Sequence, residues 1–241
     1  MTALKKRAAF FDIDYTLLCK SSMMLYVDYM RRQGEYGLWD VLVGGFYLLQ
    51  YKLNLLDIES AMDKAGQSHK GMSEQKLAQL CERWFEEEVV HYLYPEALEL
   101  LESHRAAGDE LCILSATSIY LTRPLSRHLG ISHYFCNQPL VKDGVLTGGM
   151  HKPLCYGRAK LDYALQFEAA TGIRLEDSFY YSDSITDLET LAGFGHPVAV
   201  NPDRFLKREA KARGWKILNF EPPAWLKSSR RPRDVIKLKV L

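Results

Sequence analysis

The sequence has few cysteines and no closely spaced pair of them. Its five cysteines are an odd number, and none of them belongs to a CxxC motif. This usage gives no zinc-site signature and indicates free thiols in a reducing compartment. We therefore expect a cytoplasmic protein.

The chain also lacks a strong net charge. Its 31 Lys and Arg residues balance 30 Asp and Glu residues, for a net charge of +1 over 241 residues. This balance gives no electrostatic reason to expect nucleic acid or an anionic membrane as a partner. The basic segment 228–239 is a local exception, which we interpret as a solvated chain end. The 47% of hydrophobic residues is enough for a sizeable core.

No uninterrupted hydrophobic run is long enough to cross a membrane. The most apolar window, residues 38–56, contains Asp40, Gln50, Lys52 and Asn54. These polar residues disfavour a spanning helix and favour a buried or interfacial one. The apolar run near the N-terminus ends at Asp12, too early for a signal peptide.

The spacing of apolar residues divides the chain into two patterns. Residues 20–90 show helical spacing without a convincing strand. Four helices are predicted there: one with Leu25, Tyr29 and Met30, one with Leu42, Phe46, Leu49 and Leu53, and two that begin at Asp57 and Ser73. From Pro95 onward, helices and strands alternate, which predicts a parallel sheet covered on both faces.

Strands are predicted at residues 110–115, 133–137, 178–182, 197–201 and 215–218, and a hairpin is predicted to turn at Asp143–Gly144. We also expect Pro124 to kink or split its helix. The predicted fold is α/β, with a Rossmann-like parallel sheet core, helices on both faces and an inserted all-helical cap. Residues 1–18 and 92–241 would form the core, and residues 19–91 the cap.

Polar residues gather at the predicted strand ends, where sheets of this kind bind ligands. Asp12 and Asp14 follow the apolar strand "AAFF" and point to the same side. Ser115 ends the next core strand, and Asp183 and Asp187 follow the strand "FYYS". Four carboxylates repel each other, so we expect a hard divalent cation, most simply magnesium.

Two other side chains complete this set. Ser115 and Lys160, in the first turns of a predicted helix, can bind the oxygens of a phosphate. Each residue taken singly has an ordinary alternative. The strand-end acids can be solvated, Lys160 can lie on the surface, Ser115 can cap a helix, and Asp187 can be an acid at a helix N-terminus that the helix dipole favours.

The ordered set resembles the four motifs of the haloacid dehalogenase (HAD) superfamily. "DIDYT" is similar to its DxDxT motif, and "ILSAT" to its second motif, an apolar strand that ends in Ser or Thr. Lys160 occupies the place of the motif lysine, and "YSDSITD" is similar to the final acid pair. The insertion after the first motif is typical of the phosphoserine-phosphatase-like subfamily IB. The resemblance extends from about residue 8 to residue 218.

The resemblance implies a magnesium-dependent phosphatase. Asp12 would be the nucleophile that forms an aspartyl-phosphate, and Asp14 would be the general acid and base. Mg²⁺ would be held by Asp12, the backbone carbonyl of Asp14 and Asp183, with Asp187 in support. Ser115 and Lys160 would bind the phosphoryl oxygens.

Two other functions remain open at this point. One is a non-catalytic module that binds a phosphorylated ligand on the same fold. The other is a phosphatase for phospholipid head groups at a membrane surface. The apolar residues 38–56 and the basic segment suggest this function. Asp14 favours a phosphatase, since the resemblance implies that dehalogenases lack this acid and that ion-pumping ATPases have Thr in its place.

The substrate is predicted to be a small phosphomonoester metabolite of amino-alcohol type. Ser21 stands where phosphoserine phosphatases have a glutamate for the substrate ammonium, which argues against phosphoserine itself. The "YSDS" form of the last motif resembles relatives that act on histidinol phosphate. The carboxylate of Asp28 or Glu35 could contact the cationic amine of such a substrate. Residues Ser21, Ser22 and Met24 are predicted to contact the substrate, whereas the sequence predicts no oligomeric state.

Overall fold

The structure is a computed structural model, and it describes residues 6–52 and 57–228. Its central sheet has six parallel strands in the order β3-β2-β1-β6-β7-β8. The strands of the protein are β1 Ala8–Phe11, β2 Glu110–Ser118, β3 His133–Asn137, β4 Pro139–Lys142, β5 Val145–Met150, β6 Phe179–Ser182, β7 His196–Val200 and β8 Lys216–Leu218. The predicted parallel, Rossmann-like sheet is therefore confirmed.

The α-helices of the described residues fall into two groups. Between β1 and β2 lie α1 Ser22–Arg32, α2 Leu38–Lys52, α3 Ile58–Ser68 and α4 Glu74–Glu87. The other helices are α5 Pro95–Ala106, α6 Ile119–Leu129, α7 Arg158–Thr171, α8 Leu188–Ala192 and α9 Arg204–Arg213. Short 3₁₀ helices occur at Val89–Tyr92, Leu175–Asp177, Ile185–Asp187 and Ala224–Ser228. The insertion after the first strand is thus helical.

Strand β1 carries the core on both of its faces. All four of its residues are fully buried, and successive side chains point to opposite sides of the sheet. Ala9 and Phe11 join a cluster that includes residues of α4, α5 and α6, while Ala8 and Phe10 join a second cluster with residues of α7 and α9. Helices therefore cover both faces of the sheet, as the apolar strand predicted.

The hairpin turns at the predicted residues. Asp143 and Gly144 both have positive φ angles, 52° and 74°, which a two-residue turn between antiparallel strands requires. The strand β5 then packs against α3. Gln67 Nε2 donates to the carbonyl of Gly148 at 3.3 Å, and a Cβ on Gly66 would lie 2.5 Å from that same oxygen. The hairpin thus lies against the inserted helices, although it follows them by many residues in the chain.

The division into core 1–18 and 92–241 and cap 19–91 stays a proposal.

The structure tests two expectations about helices. Pro124 lies inside α6, which is one unbroken helix, so the expected split is wrong, while a kink stays a prediction. Helix α2 was expected to be buried or interfacial; Leu38, Trp39 and Phe46 are 64%, 74% and 58% exposed, so it is not buried, while an interfacial position stays a prediction. No helix among the described residues is long and apolar enough to cross a membrane. Leu53, Asn54 and the basic segment beyond Ser228 lie outside the described residues.

Candidate active site

The predicted site residues meet at the carboxyl edge of the sheet. Because β1 lies between β2 and β6, the residues that follow or end these strands are neighbours. Asp12 follows β1 and donates its backbone N–H to the carbonyl of Tyr181 at 3.0 Å, while Ser115 is part of β2. Asp12, Ser115, Lys160, Asp183 and Asp187 are all buried. The parallel topology brings together the residues that follow or end these strands, and helix α7 adds Lys160.

Lys160 is the buried cation of this site. Its side chain extends from the first turn of α7, and Nζ lies 2.7 Å from Asp187 Oδ2 and 3.4 Å from Asp12 Oδ1. Burial opposes its charge, but the neighbouring carboxylates of Asp12 and Asp187 outweigh this effect and raise the pKa of Lys160. The surface alternative for this lysine is therefore wrong, and the ammonium stays charged.

Asp187 is held by two residues that the sequence analysis did not identify. Its Oδ2 accepts hydrogen bonds from Tyr180 Oη at 2.6 Å and Ser182 Oγ at 2.7 Å, in addition to the one from Lys160. Tyr180 and Ser182 are two residues apart on β6, so both side chains point to the same face. The two-residue spacing of the second aromatic residue and the serine in "FYYS" is the sequence feature that could have identified both. The other oxygen of Asp187, Oδ1, is buried and has no hydrogen-bond partner in the part of the chain that the structure describes.

Asp183 has the same incomplete pairing. Its Oδ1 is buried and, within residues 6–52 and 57–228, has no hydrogen-bond partner. Burial, with the charges of Asp12 and Asp187, raises the pKa of Asp183 well above its ordinary value. Asp203, the residue before α9, holds the loop that carries Asp183. It donates its N–H to the carbonyl of Asp183 at 2.9 Å, and its Oδ2 accepts a hydrogen bond from Ile185 N at 2.7 Å. A buried oxygen held in place without a donor fits a cation.

This arrangement can be tested against the needs of magnesium. Among the described residues, no cluster of three or more His, Cys, Asp or Glu side chains has the spacing of a metal site. The expected set differs from such a cluster, since it combines the carboxylates of Asp12 and Asp183 with the backbone carbonyl of Asp14. All of these donors are oxygens, and magnesium commonly keeps several waters beside one or two carboxylates. Together with the unpaired oxygens of Asp183 and Asp187, these donors fit the metal.

Asp14 is bound by the first residue of the inserted helices. Ser22 begins α1, and it donates its N–H to Asp14 Oδ1 at 3.0 Å and its hydroxyl to Asp14 Oδ2 at 3.1 Å. Burial raises the pKa of Asp14 to about 7, with a further contribution from the charge of Asp12, although the bonds from Ser22 oppose this shift. A carboxyl group with this pKa can both give and take a proton near neutral pH.

A cavity of about 670 Å³ lies between the site and the inserted helices. Asp12, Asp14, Ser115 and Lys160 line one end of it, and Ser21 and Ser22 lie beside them. The wall includes Met23 and not Met24, whose sulfur faces Gly44 of α2. Asp28 and Glu35 are exposed and do not line the cavity, and Asp28 pairs with Arg32 at 3.3 Å.

Comparisons with known proteins agree with this geometry. The family described as haloacid dehalogenase-like hydrolase matches residues 9–192. A Mycobacterium tuberculosis protein named as a probable phosphatase is 32% identical over 227 residues, which cover 92% of this chain and 78% of that protein. A histidinol-phosphatase of Neisseria meningitidis is 30% identical, over 90% of this chain and the whole of the relative.

Solved structures agree as well. A Bordetella pertussis protein of unknown function superposes with a TM-score of 0.80 at 29% identity, over 89% of this chain and 98% of that protein. The family match covers more than half of the chain and includes Asp12, Ser115, Lys160 and Asp187. The chain belongs to the haloacid dehalogenase-like hydrolase family.

Proposed function

We propose that this protein is a magnesium-dependent phosphatase that hydrolyses a small phosphomonoester through an aspartyl-phosphate on Asp12. One observation carries this proposal. Asp183 and Asp187 each hold a buried carboxylate oxygen without a donor among the described residues, next to Asp12 and the buried ammonium of Lys160. Such a site has affinity for a cation and for the oxygens of a phosphate.

Asp12 is the proposed nucleophile. Its Oδ1 accepts a hydrogen bond from Ile13 N at 2.8 Å and faces Lys160, which fixes the plane of the carboxylate. In the first step, a carboxylate oxygen of Asp12 forms a bond to phosphorus while the bond from phosphorus to the ester oxygen breaks. In the second step, water attacks the same phosphorus, and inorganic phosphate and free Asp12 result.

Asp14 is the proposed general acid and base. With a pKa of about 7, it holds a proton in much of the enzyme near neutral pH and can donate it to the departing ester oxygen. The carboxylate that remains takes a proton from the attacking water and returns to its starting state. The bonds from Ser22 keep this group oriented through both steps.

Asp12, Asp183 and the backbone carbonyl of Asp14 would hold Mg²⁺, with Asp187 beside them. When bound, the ion neutralises charge on the phosphoryl oxygens and on the carboxylates around it. Ser115 and Lys160 bind the remaining phosphoryl oxygens, and both line the cavity beside Asp12. Phosphoryl transfer depends mainly on this kind of positioning and charge.

The substrate is proposed to be a small phosphorylated metabolite that fits between the sheet and the inserted helices. Amino-alcohol esters are one class to test, because a relative from Neisseria is named as a histidinol-phosphatase. The five cysteines are all free and buried, which supports a cytoplasmic location.

Phosphate release from a panel of phosphorylated metabolites tests the proposal. The purified protein should release phosphate with magnesium and lose this activity when the metal is chelated. Asp12→Asn should abolish turnover and keep the fold, because the amide has nearly the same shape and is hardly nucleophilic. Asp14→Asn should slow both steps and let a phosphorylated protein accumulate, which intact mass spectrometry detects. Wild-type turnover by Asp12→Asn would show that the assigned mechanism is wrong, and ligand binding without any turnover would favour a non-catalytic module.

A further inference from the structure

We infer that the substrate carries an uncharged, apolar chain on its ester oxygen, rather than a cationic amine. This inference rests on the proposed phosphatase function and specifies its leaving group. The cavity that contains Asp12 and Asp14 extends well beyond the space needed for a phosphate, and at about 670 Å³ it has the size of a site for a whole organic ligand.

Away from the phosphate end, the wall of this cavity is mostly apolar, although Lys64, Ser68 and His69 also line it. Helices α1, α2, α3, α4 and α6 and the strand β5 all contribute to it. Its aromatic and aliphatic residues include Tyr26, Trp39, Val43, Tyr47, Met62, Leu77, Trp84, Tyr120, Leu121, Leu146 and Met150. Unbranched methionines adapt to flexible apolar ligands, and rings give large apolar contact areas.

The charges in the wall argue against an ammonium group. Among the side chains that the structure describes, Asp12 and Asp14 are the carboxylates that line the cavity, and both belong to the phosphate end. Away from this end, the cavity is lined by His69 and by Lys64, an exposed residue whose Nζ lies 6.0 Å from the ring centre of Tyr47. A substrate amine there would leave water without an anionic partner and would meet a like charge.

Aromatic rings also bind quaternary ammonium ions, so this alternative needs a reason against it. The rings here are interspersed with Val43, Met62 and Leu146 rather than arranged as a cage of rings alone, and Lys64 shares their wall. An uncharged chain makes favourable contact with the rings and with the aliphatic side chains, while a cation does so with the rings only.

The cavity also continues onto the exposed surface of α2. Trp39 and Val43 line the cavity and are 74% and 37% exposed. Leu42 and Phe46 of the same helix are exposed as well. An apolar chain longer than the cavity can therefore extend along α2 and keep contact with these apolar side chains.

A series of monoalkyl phosphates tests the inference. Ethyl, butyl and octyl phosphate are compared below their aggregation concentrations, with magnesium, by phosphate release. Transfer of one methylene from water to an apolar site contributes up to about 0.8 kcal/mol, so kcat/KM should rise about two- to fourfold per methylene. Octyl phosphate should then exceed ethyl phosphate by at least about sixtyfold, and exceed histidinol phosphate, phosphoserine and phosphocholine.

Paired variants test whether the preference for long alkyl chains comes from the wall of the cavity. Met62→Glu places a carboxylate on the wall and should lower kcat/KM for octyl phosphate at least about tenfold more than for ethyl phosphate. Val43→Glu, on the half-exposed rim, should act in the same direction if Met62→Glu does not fold. Gln79→Glu adds the same charge to the exposed side of α4, outside the cavity, and should change neither rate.

The outcomes are distinguishable. A kcat/KM that stays level or falls with chain length would overturn the inference, as would higher values for histidinol phosphate or phosphocholine than for octyl phosphate. In both cases the proposed phosphatase function would stand. No turnover of any ester with magnesium would instead overturn the phosphatase proposal, and the inference with it.

Discussion

The ammonium of Lys160 lies 2.7 Å from Oδ2 of Asp187, and the same ammonium lies 3.4 Å from Oδ1 of Asp12. All three side chains are buried, so water does not weaken their interaction. Lys160 thus joins a carboxylate after β1 to a carboxylate after β6. It neutralises part of the negative charge in the site and leaves the rest for a metal ion.

Replacement of this lysine should damage both stability and activity. Lys160→Met leaves buried carboxylates without their cation, which should lower the free energy of unfolding by about 3–5 kcal/mol. It also removes a donor to the phosphoryl group, and kcat should fall at least about 100-fold. Urea denaturation and phosphate release measure the two effects. Lys207→Met, at an exposed position of α9, is the control, and equal behaviour of the two variants would contradict this role for Lys160.

Magnesium should stabilise the protein through Asp183. Because burial and the charges of Asp12 and Asp187 raise the pKa of Asp183, its charge is costly without a metal. Asp183→Asn should therefore leave the Tm without metal unchanged or higher, and should lose the rise in Tm that magnesium causes in the wild type. At a concentration of 100 Kd, this rise corresponds to about 2.7 kcal/mol.

Thermal unfolding with and without magnesium measures this effect. Asp162→Asn, an exposed position on α7, should keep the full rise. If Asp183→Asn kept it as well, Asp183 would not be a metal ligand.

Ser22 should affect every substrate alike. Ser21, Ser22 and Met24 were expected to select the natural substrate, but Ser22 binds both oxygens of Asp14. A hydrogen bond to a charged group contributes about 1.5–3 kcal/mol, so Ser22→Ala should lower kcat about tenfold or more. The loss should be similar for a metabolite and for p-nitrophenyl phosphate. Met24→Leu, outside the cavity wall, should remain close to the wild type.

The comparison of both variants on both substrates decides this point. A loss for Ser22→Ala that is confined to the metabolite would show that Ser22 acts on the leaving group rather than on Asp14.

A second buried network, away from the site, should make stability depend on pH. Asp109 accepts hydrogen bonds from Arg7 at 2.9 and 3.1 Å, and His104 Nδ1 lies 2.7 Å from it. Burial alone would raise the pKa of Asp109, but the bonds from His104 and Arg7 outweigh it, and the pKa lies below its ordinary value of 3.8. The charged carboxylate therefore stabilises the fold above this value, and this contribution is lost as the pH falls through the lowered pKa.

Asp109→Asn should lower the free energy of unfolding by about 1–3 kcal/mol at pH 7. The difference from the wild type should shrink as the pH is lowered below the ordinary pKa of an aspartate. Urea denaturation at several pH values measures this trend. Glu99→Gln, an exposed position on α5, should show no such trend, and a difference for Asp109→Asn that is independent of pH would contradict the assigned linkage.

The amino-acid sequence by itself determined the sheet and the residues at its strand ends that form the candidate site. The apolar run before Asp12 and the alternation of helices and strands after Pro95 predict parallel strands, and parallel strands bring their carboxyl ends to one edge. Asp12, Ser115 and Asp183 therefore had to be neighbours. This proximity follows from local sequence patterns, because the direction of the strands depends on the helical connections between them and not on the details of side-chain packing.

Only the tertiary structure decided which side chains touch. Tyr180 and Ser182 on Asp187, and Ser22 on Asp14, are contacts between segments whose side-chain orientations the sequence pattern does not define. The exposure of Trp39 depends likewise on how α2 packs on its neighbours. The apolar wall above the site results from six elements that are far apart in the chain. Their residues line one cavity because the inserted helices and the hairpin pack together over the sheet, and no periodicity within a single segment encodes that packing.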